Sequence, residues 1–110
     1  MIDCGRGVIV NFSSRWGKTF EKQMAPYCAT KWAVVALTRV LAEEIKPNGI
    51  AAVALYPGTV KTGMLRKYLG NPTADISGYL DPADWAKIAV PMILRFRLKD
   101  TGKVRNVSAW

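Results

Sequence analysis

The chain has 110 residues, shorter than one average domain, with half of them apolar and 22% charged, which is globular rather than disordered or fibrous composition. Sixteen Lys and Arg against eight Asp and Glu leave a net charge of +8, and histidine is absent, which excludes His-based triads, His-ligated zinc and histidine pH switches. Cys4 and Cys28, the two cysteines, form no CxxC pair, so no metal centre or disulfide framework is expected and a reducing, cytoplasmic compartment fits.

In chain order, Gly7-Val8-Ile9-Val10-Asn11-Phe12 is a short apolar run rich in β-branched residues, as a buried strand of a parallel sheet requires. Ser13-Ser14 close it, and a polar, basic loop with Gly17 follows. Pro26 stands where a first-turn proline belongs, and Ala29, Trp32, Ala33, Ala36, Leu37, Val40, Leu41 and Ile45 then recur at helical spacing, the mark of a packing face. Pro47-Asn48-Gly49 ends the helix, and a second buried strand, Ile50 to Tyr56, runs until Pro57-Gly58 breaks it. Residues 59 to about 80 carry Gly63, Gly70, Pro72 and Gly78 and read as a long irregular or partly helical excursion. Asp81-Pro82 opens another helix with Ala83, Trp85, Ala86, Ile88, Ala89, Met92 and Ile93 as its apolar residues, and residues 103–107 make a third short strand.

Strand, helix, strand, helix, strand is a succession of βαβ units, which gives an α/β fold on a parallel sheet. A first strand this apolar calls for neighbours on both edges, and two helices with three strands do not supply them all. The expectation is a sheet whose first strand has an unmatched edge, part of a larger one.

No apolar run approaches the 18 or so residues needed to span a bilayer, and the first residues lack the basic stretch and apolar core of a signal peptide, so a soluble chain without a membrane role is expected. From Trp85 onward Lys87, Arg95, Arg97, Lys99, Lys103 and Arg105 face only Asp100. Such a tail attracts nucleic acid or a phosphorylated ligand in some proteins. No aromatic-interleaved basic motif accompanies it here, so a solvated surface is the simpler reading and no nucleic-acid partner is expected.

Tyr27 and Lys31 lie four apart and therefore share one helix face. A phenol titrates near pH 10, and a neighbouring ammonium favours its ionised form, which is how such a pair would become an acid–base catalyst. With four Tyr and nine Lys in the chain, about one sequence in three of this composition carries the spacing by chance, so the pair alone is weak. Position strengthens it. Ser14 ends one parallel strand, Tyr27 opens the next helix and Pro57-Gly58 ends the following strand, all at the C-terminal edge where open α/β sheets assemble their sites.

With these residues in place the chain resembles the short-chain dehydrogenase/reductase family, on Gly7 to Ser14, on Tyr27-Cys28-Ala29-Thr30-Lys31 and on Pro57-Gly58-Thr59-Val60-Lys61-Thr62. The resemblance implies a partial Rossmann-like, doubly wound sheet, with residues 1–110 as the C-terminal, catalytic half of the domain. It implies Ser14, Tyr27 and Lys31 as the catalytic set. Ser14 would position the substrate oxygen, Tyr27 would act as general acid or base, and Lys31 would serve both the tyrosine and the nicotinamide ribose. Cofactor contacts would come from Tyr27, Lys31, Pro57, Gly58, Val60 and Thr62. Substrate contacts would come from Ser14, Trp16 and Met64, with Met64, Leu65, Tyr68 and Leu69 in a covering segment. The family's Gly-rich phosphate turn and its Asn-Asn-Ala-Gly segment do not occur in these residues. NADP or NAD is therefore implied without a readable choice, the basic surface leaning toward NADP.

Within the family, Ser13 to Lys18 and Ala25 to Val34 are most similar to plant-type pterin aldehyde reductases, where Trp16 would stack on a flat heteroaromatic substrate. The implied activity is carbonyl reduction or alcohol oxidation on a small molecule, in a homo-oligomeric full-length form. The alternative is a remnant that kept the fold, lost cofactor binding and serves as an interaction module.

Overall fold

The structure, a computed structural model, describes residues 1–107. Strand β1 (Gly7–Phe12) pairs in parallel with β2 (Ile50–Tyr56), in register from Gly7 opposite Ile50 to Phe12 opposite Leu55. Strand β3 (Val104–Asn106) pairs in parallel with the other edge of β2, Ala54 opposite Val104. The spatial order is β1-β2-β3. Every residue of the middle strand is buried, whereas β1 is half-buried and, among the described residues, has a partner on one edge alone. The expected unmatched edge is there, and its cause is simple: the β-branched run of β1 is built for two neighbours and receives one.

Helices cover both faces. Alternation along the strands puts Val8, Val10 and Phe12 of β1 on the same side as Val53 and Leu55 of β2. Helix α3 (Pro82–Leu94) packs there: Val53, Leu55, Ala89, Phe96 and Val107 form the buried core, with Val8, Val10, Trp85, Met92 and Ile93 against it. Helix α1 (Ala25–Ile45) takes the opposite face, where β2 presents the small Ala52 and Ala54. One polar pair lies beneath it, a half-buried Asn11 against the buried Thr38. Asn11 Nδ2 donates to Thr38 Oγ1 at 3.0 Å, and the Thr38 hydroxyl donates to the Val34 carbonyl at 2.7 Å. Both hydrophilic groups are thereby satisfied, as burial demands.

The buried stripe of α1 differs from the expected one. Cys28, Val35, Thr38 and Ala42 face the sheet, while Ala29, Trp32, Ala33, Ala36, Leu37 and Val40 are exposed and Leu41 and Ile45 are half-buried. Apolar residues run around more than half of this helix, so periodicity alone does not select the side that packs. The alanine-rich face of β2 selects it by admitting small side chains at close range. Trp32 is half exposed, its indole N–H donating to the Thr19 carbonyl at 3.2 Å. The helix ends as expected, in a turn at Lys46–Asn48 followed by Gly49 at φ +73°. A side chain at Gly49 would be strained and would strike the Gly5 carbonyl.

Between β2 and α3 the excursion contains one short helix, α2 (Gly63–Tyr68), whose Leu65 is buried. Its base is clasped by the Val60–Leu80 bridge, where Lys61 N–H donates to the Leu80 carbonyl at 2.9 Å and Lys61 Nζ meets Asp81 Oδ2 at 3.3 Å. Four of the basic tail residues have defined partners. Lys87 pairs with Asp84 at 2.7 Å, and Arg97 donates to the Leu94 and Phe96 carbonyls at the end of α3. Arg105 and Lys103 meet Asp100 at 2.6 and 3.9 Å. Asp100 also accepts from the Arg97 backbone N–H at 3.1 Å, and the Arg105 guanidinium, ahead of the other contacts, holds its carboxyl below the usual aspartate range. No described helix is long and apolar enough to cross a membrane.

Candidate active site

Because β1 and β2 are parallel and in register, the loops leaving Phe12 and Tyr56 emerge at one edge of the sheet. The first loop turns back immediately. Ser13 N–H donates to the Leu55 carbonyl at 2.9 Å, continuing the ladder one residue past the strand. Ser14 is extended and caps a 3-10 turn at Arg15–Gly17, its Oγ accepting from Trp16 N–H at 3.3 Å. A hydroxyl that accepts in this way keeps its own hydrogen to donate.

That turn packs directly on the start of α1. The Ser13 hydroxyl donates to the Lys31 carbonyl at 3.0 Å, and Lys31 Nζ donates to the Phe12 carbonyl at 3.2 Å. Gly17 lies where any side chain would press on the Lys31 carbonyl, 2.7 Å from the position of a Cβ. The Trp16 ring meets Tyr27 edge-on, with centroids 5.7 Å apart and planes at 86°. The Lys31 ammonium lies 5.5 Å from the centroid of the Tyr27 ring. The fold thus brings Ser14, Trp16, Tyr27 and Lys31 into one cluster, with Tyr27 and Lys31 on one helix face as their spacing predicts.

The second loop contributes less direct contact. Pro57 is fixed by its carbonyl, which accepts from Trp85 Nε1 at 2.7 Å and ties the loop to α3. Val60 forms the bridge to Leu80. Thr62 Oγ1 is the N-cap acceptor of α2, taking Leu65 N–H at 3.3 Å. Met64 is exposed on α2, and Tyr68 at the end of that helix reaches back to Trp16, with centroids 5.3 Å apart.

Two contributors escaped sequence reasoning: Ser13, the first of the serine pair, is the buried anchor of α1, and Gly17 is the residue that lets the turn approach α1. Tyr68, expected in the covering segment, is the second ring on Trp16, a contact the sequence did not indicate. An isolated glycine in a polar loop was the one available signal among them, and it points to a close approach without naming what approaches.

Fold and site together define part of a Rossmann-like, doubly wound α/β domain whose candidate site residues gather at the C-terminal edge of its strands. The chain belongs to the short-chain dehydrogenase family, whose model matches residues 1–72 and so includes every residue of this cluster. It is 42% identical over 102 residues to the NADPH-dependent pterin aldehyde reductase of Arabidopsis thaliana, an alignment covering 93% of this chain and 40% of that protein. A short chain dehydrogenase from Salmonella enterica serovar Typhi superimposes with a TM-score of 0.82 at 26% identity, over 94% of this chain and 42% of that one. An actinorhodin polyketide ketoreductase solved with NADPH gives a TM-score of 0.76 at 28% identity, over 97% of this chain and 48% of that one. The chain therefore spans less than half the length of each of these relatives.

Proposed function

We propose that residues 1–110 are the catalytic, C-terminal half of a longer NADP-dependent carbonyl reductase or alcohol dehydrogenase, with Ser14, Tyr27 and Lys31 as its catalytic set. The observation that carries this reading is the cluster itself: one turn and one helix bring a serine hydroxyl, a phenol and an ammonium to the edge of a parallel sheet. Relatives named as NADPH-dependent, or solved with NADPH, favour NADP over NAD.

The residues present fit the nicotinamide end of such a cofactor. One N–H of the Lys31 ammonium is used on the Phe12 carbonyl, leaving donors for a ribose hydroxyl. Tyr27 and Lys31 would hold the ribose, and the loop of Pro57, Gly58, Val60 and Thr62 would border the nicotinamide. When bound, the nicotinamide supplies the hydride in reduction and receives it in oxidation. The chain's own groups handle the oxygen. The Ser14 hydroxyl donates to the substrate carbonyl oxygen. The Tyr27 hydroxyl gives that oxygen its proton, leaving a phenolate beside the positive charge of Lys31. In the oxidative direction the same phenolate takes the alcohol proton.

Trp16 and Met64 border the substrate side. Likeness to a pterin aldehyde reductase, together with an indole beside the phenol, supports a flat heteroaromatic aldehyde as the substrate class. The unpartnered apolar side of α1 supports a homo-oligomeric longer protein, and two unpaired cysteines suit a reducing compartment such as the cytoplasm.

The test is Tyr27→Phe in the longer protein, assayed with NADPH and an aromatic aldehyde. Turnover should fall by about 10²–10⁴-fold, the usual worth of general acid–base catalysis, with NADPH affinity almost unchanged. Near-normal turnover in a folded variant would end this reading.

A further inference from the structure

Trp16 touches two tyrosines from different elements. Its ring meets Tyr27 of α1 at 5.7 Å and 86°, and Tyr68 of α2 at 5.3 Å and 53°. Both separations lie in the range where aromatic rings attract through their quadrupoles. The Tyr27 ring is thus bounded by an indole edge contact and by the Lys31 ammonium, 5.5 Å from its centroid. Tyr27 is only half-buried, so these neighbours rather than a closed core limit where its hydroxyl can point.

Trp16 itself is held from two directions. Its backbone N–H is fixed on Ser14 Oγ at 3.3 Å, while Tyr68 covers the ring. Tyr68 is 49% exposed at the last position of a six-residue helix, and that helix belongs to an excursion clasped at its base and anchored by the buried Leu65 and Ile76. Such a segment moves more readily than the sheet beneath it.

We infer that Trp16 is a positioning residue for Tyr27, and that Tyr68 acts through Trp16, so that seating of α2 on the site orients the phenol for proton transfer. This rests on Tyr27 being the proton donor of the proposed reaction. A ring that only lined the substrate pocket would contribute to binding substrate and transition state alike, whereas a ring that orients the donor acts on the chemical step.

The test uses the longer protein with Trp16→Phe, Trp16→Ala, Tyr68→Ala, the Trp16→Ala/Tyr68→Ala pair and Tyr27→Phe. Trp16→Ala should lower kcat roughly tenfold, in addition to any rise in KM from the lost substrate contact, and Trp16→Phe should recover most of the kcat loss. Tyr68→Ala should give a smaller loss of the same kind, and the pair should be no worse than Trp16→Ala alone, because Tyr68 has nothing left to act through. With 5-fluorotryptophan incorporated, the 19F signal of Trp16, assigned by its loss in Trp16→Phe, should move on Tyr68→Ala without any ligand present. Additive losses in the pair, an effect of Trp16→Ala confined to KM, or an unmoved Trp16 signal would each overturn the inference. Normal turnover by Tyr27→Phe would instead remove the catalytic reading beneath it. The two failures are thereby told apart.

Discussion

Lys31 receives a hydrogen bond from the Ser13 hydroxyl at its carbonyl, 3.0 Å away, and returns one from its ammonium to the Phe12 carbonyl at 3.2 Å. The helix that carries the candidate acid–base pair is therefore pinned to the end of β1 through backbone and side chain of one residue. Gly17 fills the remaining gap, since a Cβ there would lie 2.7 Å from the Lys31 carbonyl and would also strike the Ser13 hydroxyl. Gly17→Ala should destabilise the longer protein by about 1–3 kcal/mol, the range for overpacking, as read by chemical denaturation. A change below a few tenths of a kcal/mol would mean the turn gives way freely and does not fix α1.

Lys31 and Ser14 should separate in kinetics. Lys31→Ala removes a donor proposed for the cofactor and the positive charge beside the phenol, so both NADPH affinity and kcat should fall. Ser14→Ala should lower kcat by about 10²-fold while leaving NADPH affinity intact, because the hydrogen bond proposed for it would strengthen as charge develops on the carbonyl oxygen. Steady-state kinetics with NADPH binding measured separately checks both, and identical profiles for the two variants would refute the division of roles.

The 110-residue chain alone should bind NADPH weakly. Its proposed contacts are Tyr27, Lys31 and the loop from Pro57 to Thr62, and its sequence holds no Gly-rich turn to cradle a pyrophosphate at a helix N-terminus. Calorimetric titration should give no micromolar binding. Micromolar affinity would show that the loop and helix α1 supply most of the cofactor's binding energy.

Asp100 is 7% exposed and collects Arg105, the Arg97 backbone N–H and Lys103. Hydrogen bonding from Arg105, the largest cause, places its carboxyl below the ordinary aspartate value despite burial. A carboxyl depressed in the folded state contributes its full stabilisation above the unfolded value, about 3.9, and loses it as pH falls through the lower folded value. Asp100→Asn should cost about 1.5–3 kcal/mol at pH 7, the range for hydrogen bonds to charged groups. That difference should shrink steadily below about pH 4, followed by urea denaturation across the acid range. A difference that stays constant with pH would show that the charge is not what holds the turn before β3.

The order of elements, the parallel sheet and the unmatched edge of β1 were all written in local signals: β-branched runs, Pro26 and Pro82 at helix starts, and Gly49 and Pro57-Gly58 at breaks. Each depends on neighbours a few residues away, which is the range over which sequence speaks plainly. The pairing of Tyr27 with Lys31 was legible for the same reason, being one helical turn. What only the tertiary structure decided lies across elements. Ala29, Trp32, Ala33, Ala36, Leu37 and Val40 looked like the packing face of α1, yet Cys28, Val35, Thr38 and Ala42 took that place once Ala52 and Ala54 of β2 set how close a helix could come. Ser13 and Ser14 are adjacent and chemically identical, and only the reversal of the chain after β1 turns one toward the Lys31 carbonyl and makes the other the cap of the next turn. Tyr68 stands 52 positions after Trp16, and no periodicity links them; the closed base of the 57–81 excursion brings the two rings together.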